Sequence, residues 1–302
     1  MTASSTDAGI QAHRVTFDSA GETLAGSLYL PGHGDPSPGL VIAGPWRTVK
    51  EQVPSVYAEL MARRGFAALA FDFRGWGQSS GRPMRMEDPF SKADDIVAAA
   101  AFLAGRPEVI ARGVGGLGVC AGSGYLARAA ALSDTIRSVA LVAPGLPSHP
   151  TVVAEVGGEA GVAAIERLAH DAREAYDRTG QETLVTAVPA TPESTVAGAD
   201  YYTNPQRGLV PAWDNLFNPA SWTSWLTFDA QDAAPHLTAP LLVISSDAAV
   251  SPSSVREFIA KVPHPVEQIW IPGVPQFDWY DQPGPTGLAA DAVAAHFDAT
   301  LR

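Results

Sequence analysis

The sequence is short of cysteine: Cys120 is the only one among 302 residues. A single thiol excludes an internal disulfide and a thiolate-held metal cluster, and it leaves a free thiol to be explained. Long hydrophobic runs are absent too. No stretch of eighteen apolar residues occurs, and the opening "MTASSTDAGIQAHR" has neither the basic flank nor the apolar centre of a secretory leader. A cytoplasmic protein without a membrane partner is expected. Positive charge is scarce, with 20 Lys and Arg against 32 Asp and Glu and a net charge of -12. Such a chain, with a pI near 4.9 and no basic stripe, repels phosphate backbones, which argues against nucleic acid as a partner. Metal-ligand spacings and a glycine-rich phosphate or dinucleotide loop after the first strand are also missing, so no metal and no cofactor is expected.

What is present is a rhythm of apolar β-rich runs with helical patterns between them. "RVTF" and "LAGSLYL", separated by "DSAGE", read as an antiparallel hairpin at one edge. "GLVIAG", "FAALAFDF", "GVGGLGVC", "SVALVAP", "PLLVISS" and "EQIWIP" follow. The alternation predicts an α/β protein with a mostly parallel twisted sheet covered by helices on both faces. Pro54 and Gly65 mark the start and stop of one helix, and Ser91 is the expected cap of the next. The rhythm lapses over 148-237, which is read as a helical lid inserted between two parts of one core, 1-147 and 238-302. That insertion holds a polar "TPEST" stretch and then an aromatic-rich piece with Tyr201, Tyr202, Trp213, Trp222, Trp225, Phe217 and Phe228. Singly, such rings more often pack an insertion onto a core; together they suggest the cover of an apolar pocket.

Gly118-Val119-Cys120-Ala121-Gly122 places small residues two before and two after a potential nucleophile, between an apolar strand and a helical stretch. A sharp strand-to-helix turn needs that spacing, because the nucleophile's backbone is strained and the helix must approach the strand closely. At these residues the chain resembles the α/β-hydrolase superfamily, and more narrowly its dienelactone-hydrolase-like branches that use cysteine. "VIAGPWRTVKE" resembles the family's oxyanion loop. "FDFRGWGQSSG", with Asp72, Arg74, Gly75, Gly77 and Ser79, and "EDPFSKADDIVAAAAFL" are similar to its next strand turn and helix.

The resemblance implies two backbone donors for an oxyanion, those of Ala121 and Trp46, since Pro45 has no N-H. It implies an acid after "PLLVISS", where Asp247 is the only carboxylate, one position off the family's usual spacing. It also implies a histidine in the loop "IPGVPQFDWYD", where Gln276 stands instead. Glutamine cannot take a proton from a thiol near neutral pH. Of the seven histidines only His149, at the root of the insertion, emerges on the catalytic face as a replacement base. Arg47, Tyr201, Tyr202, Trp213, Trp222 and Asp278 are the substrate-binding candidates, and Tyr280 also lies just past Gln276.

Three functions stay open. The first is non-hydrolytic tailoring (addition, cyclisation or C-C bond formation) of a carbonyl-bearing, largely apolar small molecule of polyketide type. The second is Cys-dependent hydrolysis of an ester, lactone or thioester. The third is ligand binding without catalysis. The expected partner is a small-molecule substrate, with assembly into a homodimer left open.

Overall fold

The hydrophobic runs of the sequence become one eight-stranded sheet in the computed structural model, which describes residues 9–188 and 199–302. β1 (Gln11–Ser19) and β2 (Glu22–Leu30) form the expected hairpin. It is tighter than the sequence suggests. Ala20 and Gly21 alone make the turn, both at positive φ, as a two-residue hairpin connection requires. β3 (Ser37–Ala43), α1 (Val53–Ala62), β4 (Ala67–Phe71), α2 (Pro89–Ala104), β5 (Val109–Val119), α3 (Gly122–Leu132) and β6 (Ile136–Val142) then alternate. The order across the sheet is β1-β2-β4-β3-β5-β6-β9-β10. Only the contacts of β2 with β1 and β4 are antiparallel.

Helix α2 starts earlier than its sequence suggests. Asp88 is the cap, its carboxylate accepting the amide of Phe90, and the Ser91 hydroxyl only donates to that carboxylate. Pro89 sets the first turn, which moves the start two residues before Ser91.

Successive residues of β3 face opposite layers, as the pleat demands. Val41 and Ala43 pack with Leu103, Tyr125 and Leu126 under α2 and α3. Leu40 and Ile42 pack with Tyr57, Met61, Val293 and Phe297 under α1 and the C-terminal helix. Burying each large aliphatic side chain of this kind contributes about 1.5–3 kcal/mol.

Between β6 and β9 the insertion carries α4 (His149–Glu155), α5 (Gly158–Thr179), β7 (Val185–Thr186), α6 (Ala199–Thr203), β8 (Leu216–Phe217) and α7 (Trp222–Trp225). β7 and β8 pair antiparallel in a ribbon apart from the main sheet. The "TPEST" stretch lies outside the described residues. The core resumes with β9 (Leu241–Ser245), α8 (Pro252–Lys261), β10 (Glu267–Trp270), α9 (Asp278–Asp281) and α10 (Pro283–Leu301). None of the described helices is long and apolar enough to cross a membrane.

Three ion pairs anchor the loops at the strand ends. Asp72 accepts the Lys50 ammonium at 2.7 Å and the amides of Lys50 and Gln78. Arg74 forks onto Asp95, whose other neighbour is the Ser19 hydroxyl. Lys92 and Glu87 meet at 2.6 Å with side chains only 2% and 0% exposed. The Asp-x-Arg-Gly segment is thus a brace for neighbouring loops.

Candidate active site

Cys120 sits at φ 52°, a left-handed conformation that costs a residue with a side chain on the order of 1–3 kcal/mol. The surroundings hold it there. Its amide donates to the Val142 carbonyl, and its carbonyl accepts from Ser123 and, at 2.8 Å, from Gly145. A Cβ on Gly122 would stand 2.3 Å from the Ala43 carbonyl oxygen, and one on Gly118 would stand 2.7 Å from Ser123 Cα. Only glycine lets α3 enter this close to β3 and β5, so the spacing read in the sequence has a steric cause. The residue as a whole remains partly exposed.

Three neutral donors surround that thiol: the Tyr280 phenol, the Ala121 amide and the Gln276 carboxamide. Burial pushes the Cys120 thiol up, and the hydrogen bonds from Tyr280, Ala121 and Gln276 only partly oppose it. Burial likewise drives the Tyr280 phenol well above its ordinary value, so at neutral pH it is a donor and no base. Gln276 is committed on both sides. Its Nε2 donates to the Ala143 carbonyl at 2.8 Å and its Oε1 accepts from the Val250 amide at 3.1 Å. The glutamine therefore ties the loop after β9 to the end of β6.

The loop after β3 supplies the other wall. Among the described residues, no hydrogen bond is made by the amide of Trp46, whereas the Arg47 amide is spent on the Glu87 carboxylate at 2.9 Å. Glu87 also accepts from Lys92 and from the Tyr125 hydroxyl. Two amides, those of Trp46 and Ala121, are left as candidate oxyanion donors. The Tyr202 hydroxyl donates to the Trp46 carbonyl at 3.1 Å and the Trp213 indole to the Arg47 carbonyl at 2.7 Å, so these two rings hold the loop from above. Trp222, Trp225 and Phe217 stand around the Trp46 ring with centroids 5.6–5.8 Å away. Tyr201 is buried against Tyr202 and Tyr280 and packs behind the site.

Three sequence candidates do not join this group. Asp247 is 68% exposed and pairs with Arg256 on α8. It sits one residue beyond the buried Ser246, whose hydroxyl accepts the Val274 and Ala248 amides, and the chain has already turned to solvent. His149 begins α4, where its Nδ1 is 2.9 Å from the Leu226 carbonyl and its amide donates to Asp229, which holds it at the rim. Asp278 lies 3.5 Å from the Arg207 guanidinium and faces that ion pair. The remaining histidines are held elsewhere: His296, for one, bridges Ser138 and Glu267. Among the described residues no group of three or more His, Cys, Asp or Glu is placed to hold a metal ion.

Glu87 and Tyr280 are the residues that sequence reasoning underrated. Tyr280 follows Gln276 by four residues, in the short helix that the Gln276 turn leads into, and this closeness in sequence is a usable signal. Glu87 carries none, because its partners Arg47 and Tyr125 lie about forty residues to either side.

Comparison with known proteins agrees with the fold. An uncharacterized protein of Pseudomonas aeruginosa, PA2218, is 30% identical over 97% of this chain and 82% of its own length. Its crystal structure superposes with a TM-score of 0.86, covering 98% of this chain and 95% of that one. Two fungal proteins match over 41% of this chain: the thiohydrolase aneE of Aspergillus aculeatus, 33% identical over 38% of its length, and the polyketide transferase claH of Penicillium crustosum, 32% identical over 41% of its length. The model of the alpha/beta hydrolase family matches residues 28–286, and with the elbow at Cys120 and the parallel sheet behind it, the chain belongs to that family.

Proposed function

We propose that the protein is a non-hydrolytic tailoring enzyme acting on a carbonyl-bearing, largely apolar small molecule of natural-product type. The observation that carries this reading is the chemistry around Cys120. Among the described residues the groups that hydrogen-bond the thiol, Tyr280, Ala121 and Gln276, are neutral donors and not proton acceptors near neutral pH, while the Glu87 carboxylate acts on it only through its charge. Such a site can polarise a carbonyl through the Trp46 and Ala121 amides and hand a hydrogen bond to a developing alkoxide or enolate through Tyr280. It cannot deprotonate water. The attacking group must therefore come from the substrate itself, either already ionised as an enolate or as a tethered hydroxyl held against the carbonyl that passes its proton to the departing thiolate, which favours cyclisation or addition over attack by free water. The apolar ring cage of Trp46, Phe217, Trp222 and Trp225 supports a flat, carbon-rich ligand. The names of the partial fungal matches, a polyketide transferase and a thiohydrolase, are in keeping with acyl substrates of this kind.

A second reading has one observation in its favour. Cys120 occupies a strained elbow and stays partly exposed, the placement of a nucleophile. Transfer of the acyl group to sulfur would precede ring closure or hydrolysis. Both readings are separated by supplying an aryl-acyl thioester that carries a remote hydroxyl, in ¹⁸O-labelled water. Ring-closed product without label is expected. Free acid carrying solvent oxygen, lost in Cys120→Ala, supports the hydrolase instead.

A further inference from the structure

Arg47 is built into the cage in a way that its part in the loop does not require. It sits at φ 61°, a conformation that glycine would adopt without strain, yet it carries one of the longest side chains. Its backbone is clamped at both ends, by Glu87 on the amide and the Trp213 indole on the carbonyl. The clamp aims the side chain into the rings, where the guanidinium carbon lies 3.6 Å from the Trp46 ring centre and 4.4 Å from that of Phe217. Nη1 donates to the Ala187 carbonyl, a neutral acceptor. Among the described residues no carboxylate touches the guanidinium, and its buried Nε has no partner. The indole N-H groups of Trp46 and Trp225, in the same cage, are buried and unpartnered as well.

Among the described residues the nearest carboxylate, Glu87, is already taken up by Lys92 and Tyr125, so a half-buried cation beside two unpaired donors is costly unless something brings acceptors to it. With Nη1 spent on Ala187, the guanidinium edge left over is that of Nε and Nη2, which matches two oxygens sharing one negative charge. We infer that Arg47 is the recognition point for a planar two-oxygen anion on the substrate, a carboxylate or the enolate of a 1,3-dicarbonyl, attached to an aromatic or conjugated body that lies against Trp46 and Phe217. Tyr202 links this point to the reacting centre, since its hydroxyl holds the Trp46 carbonyl and its ring packs in the cluster that includes Cys120. The inference rests on the proposal that this cage is the substrate site, but it concerns binding and needs no turnover.

The test is equilibrium binding to the wild-type chain, read by quenching of indole fluorescence, with 2-naphthoate, 2-naphthamide and benzoylacetone above and below its enol ionisation. The naphthoate should bind about tenfold or more tightly than the amide, as a charge-assisted hydrogen bond would give. Tight binding by the benzoylacetone enolate would name the dicarbonyl as the source, and its absence would name the carboxylate. Arg47→Met should remove the preference for naphthoate while leaving binding of the amide within about twofold. Arg47→Lys, which keeps charge but loses the fork, should retain only part of it and serves if the Met variant fails to fold. Equal binding of acid and amide, no binding of either, or a preference that survives both substitutions overturns the inference. The function proposed above would fail separately, through hydrolysis of the thioester, even if the anion binds as described.

Discussion

Ser138, His296 and Glu267 are joined in the order of a nucleophile, a base and an acid, whereas Cys120, Tyr280 and Gln276 have the backbone of an active site without that order. Ser138 Oγ is 3.0 Å from His296 Nε2, and His296 Nδ1 is 3.0 Å from the Glu267 carboxylate. Yet Ser138 lies within strand β6, is completely buried and also hydrogen-bonds the Thr300 hydroxyl. It has no strained turn and no helix start behind it, and it sits toward the opposite end of the strand from Cys120's neighbour Val142. Cys120 has the turn, the partial exposure and two nearby amides, those of Trp46 and Ala121, that no carbonyl of the described residues takes up, but a glutamine where a base would be. The side-chain chain of hydrogen bonds is therefore the less informative half of a catalytic site. Preorganised backbone donors beside an accessible atom are what the fold constructs, and the first constellation has none.

That contrast can be broken from either side. The largest effect should come from Glu87→Gln, which leaves the Lys92 ammonium buried without its partner and weakens the acceptor for the Arg47 amide. A loss of about 3–5 kcal/mol in chemical denaturation is expected. A loss below about 1 kcal/mol would mean that the loop does not depend on Glu87. Next is Gly122→Ala, whose new Cβ would meet the Ala43 carbonyl oxygen. Overpacking against backbone should cost about 3 kcal/mol. Displacement of the Ala121 amide should also abolish ring closure of the hydroxyacyl thioester, even at temperatures where the variant stays folded.

His296→Ala tests the other constellation. Removing its two hydrogen bonds should lower stability by about 2 kcal/mol through the partner lost to Ser138, which keeps Thr300, and the space left behind. Turnover and Cys120 alkylation should not change, and a large drop in turnover in a folded variant would give that buried group a catalytic role. The smallest effect belongs to Asp247→Asn. An exposed ion pair with Arg256 should be worth less than about 0.5 kcal/mol, and activity should be unaltered. Loss of activity would return Asp247 to the site.

Much of this was legible in the sequence where the cause is local. The elbow follows from glycines two residues on either side of Cys120, and the steric need for them is met within one turn. Gln276 was placed by its position after the last strand. The candidate oxyanion loop is read the same way, since Pro45 has no N-H to offer and the Trp46 amide is the next in line. What escaped depends on groups distant in sequence. Glu87 gains its role only when Arg47, Lys92 and Tyr125 converge on it. The direction of Asp247 is not legible, because a one-residue difference after a strand decides whether a side chain faces the pocket or, as here, Arg256. His149 looked free in sequence but spends its ring nitrogen on the Leu226 carbonyl across the insertion. The aromatic cluster was visible as composition, while the division between rings that line the cage and rings that hold its loop required coordinates.

If the described residues of this elbow offer no proton acceptor and the protein for that reason does not hydrolyse, initial rates of aryl-ester hydrolysis at neutral pH for the wild type and for Gln276→His decide it. Wild-type rates near the uncatalysed background are predicted, with hydrolysis rising by about 10²-fold or more when the imidazole is supplied. Rapid hydrolysis by the wild type, lost in Cys120→Ala and lowered by Gln276→His, would contradict it.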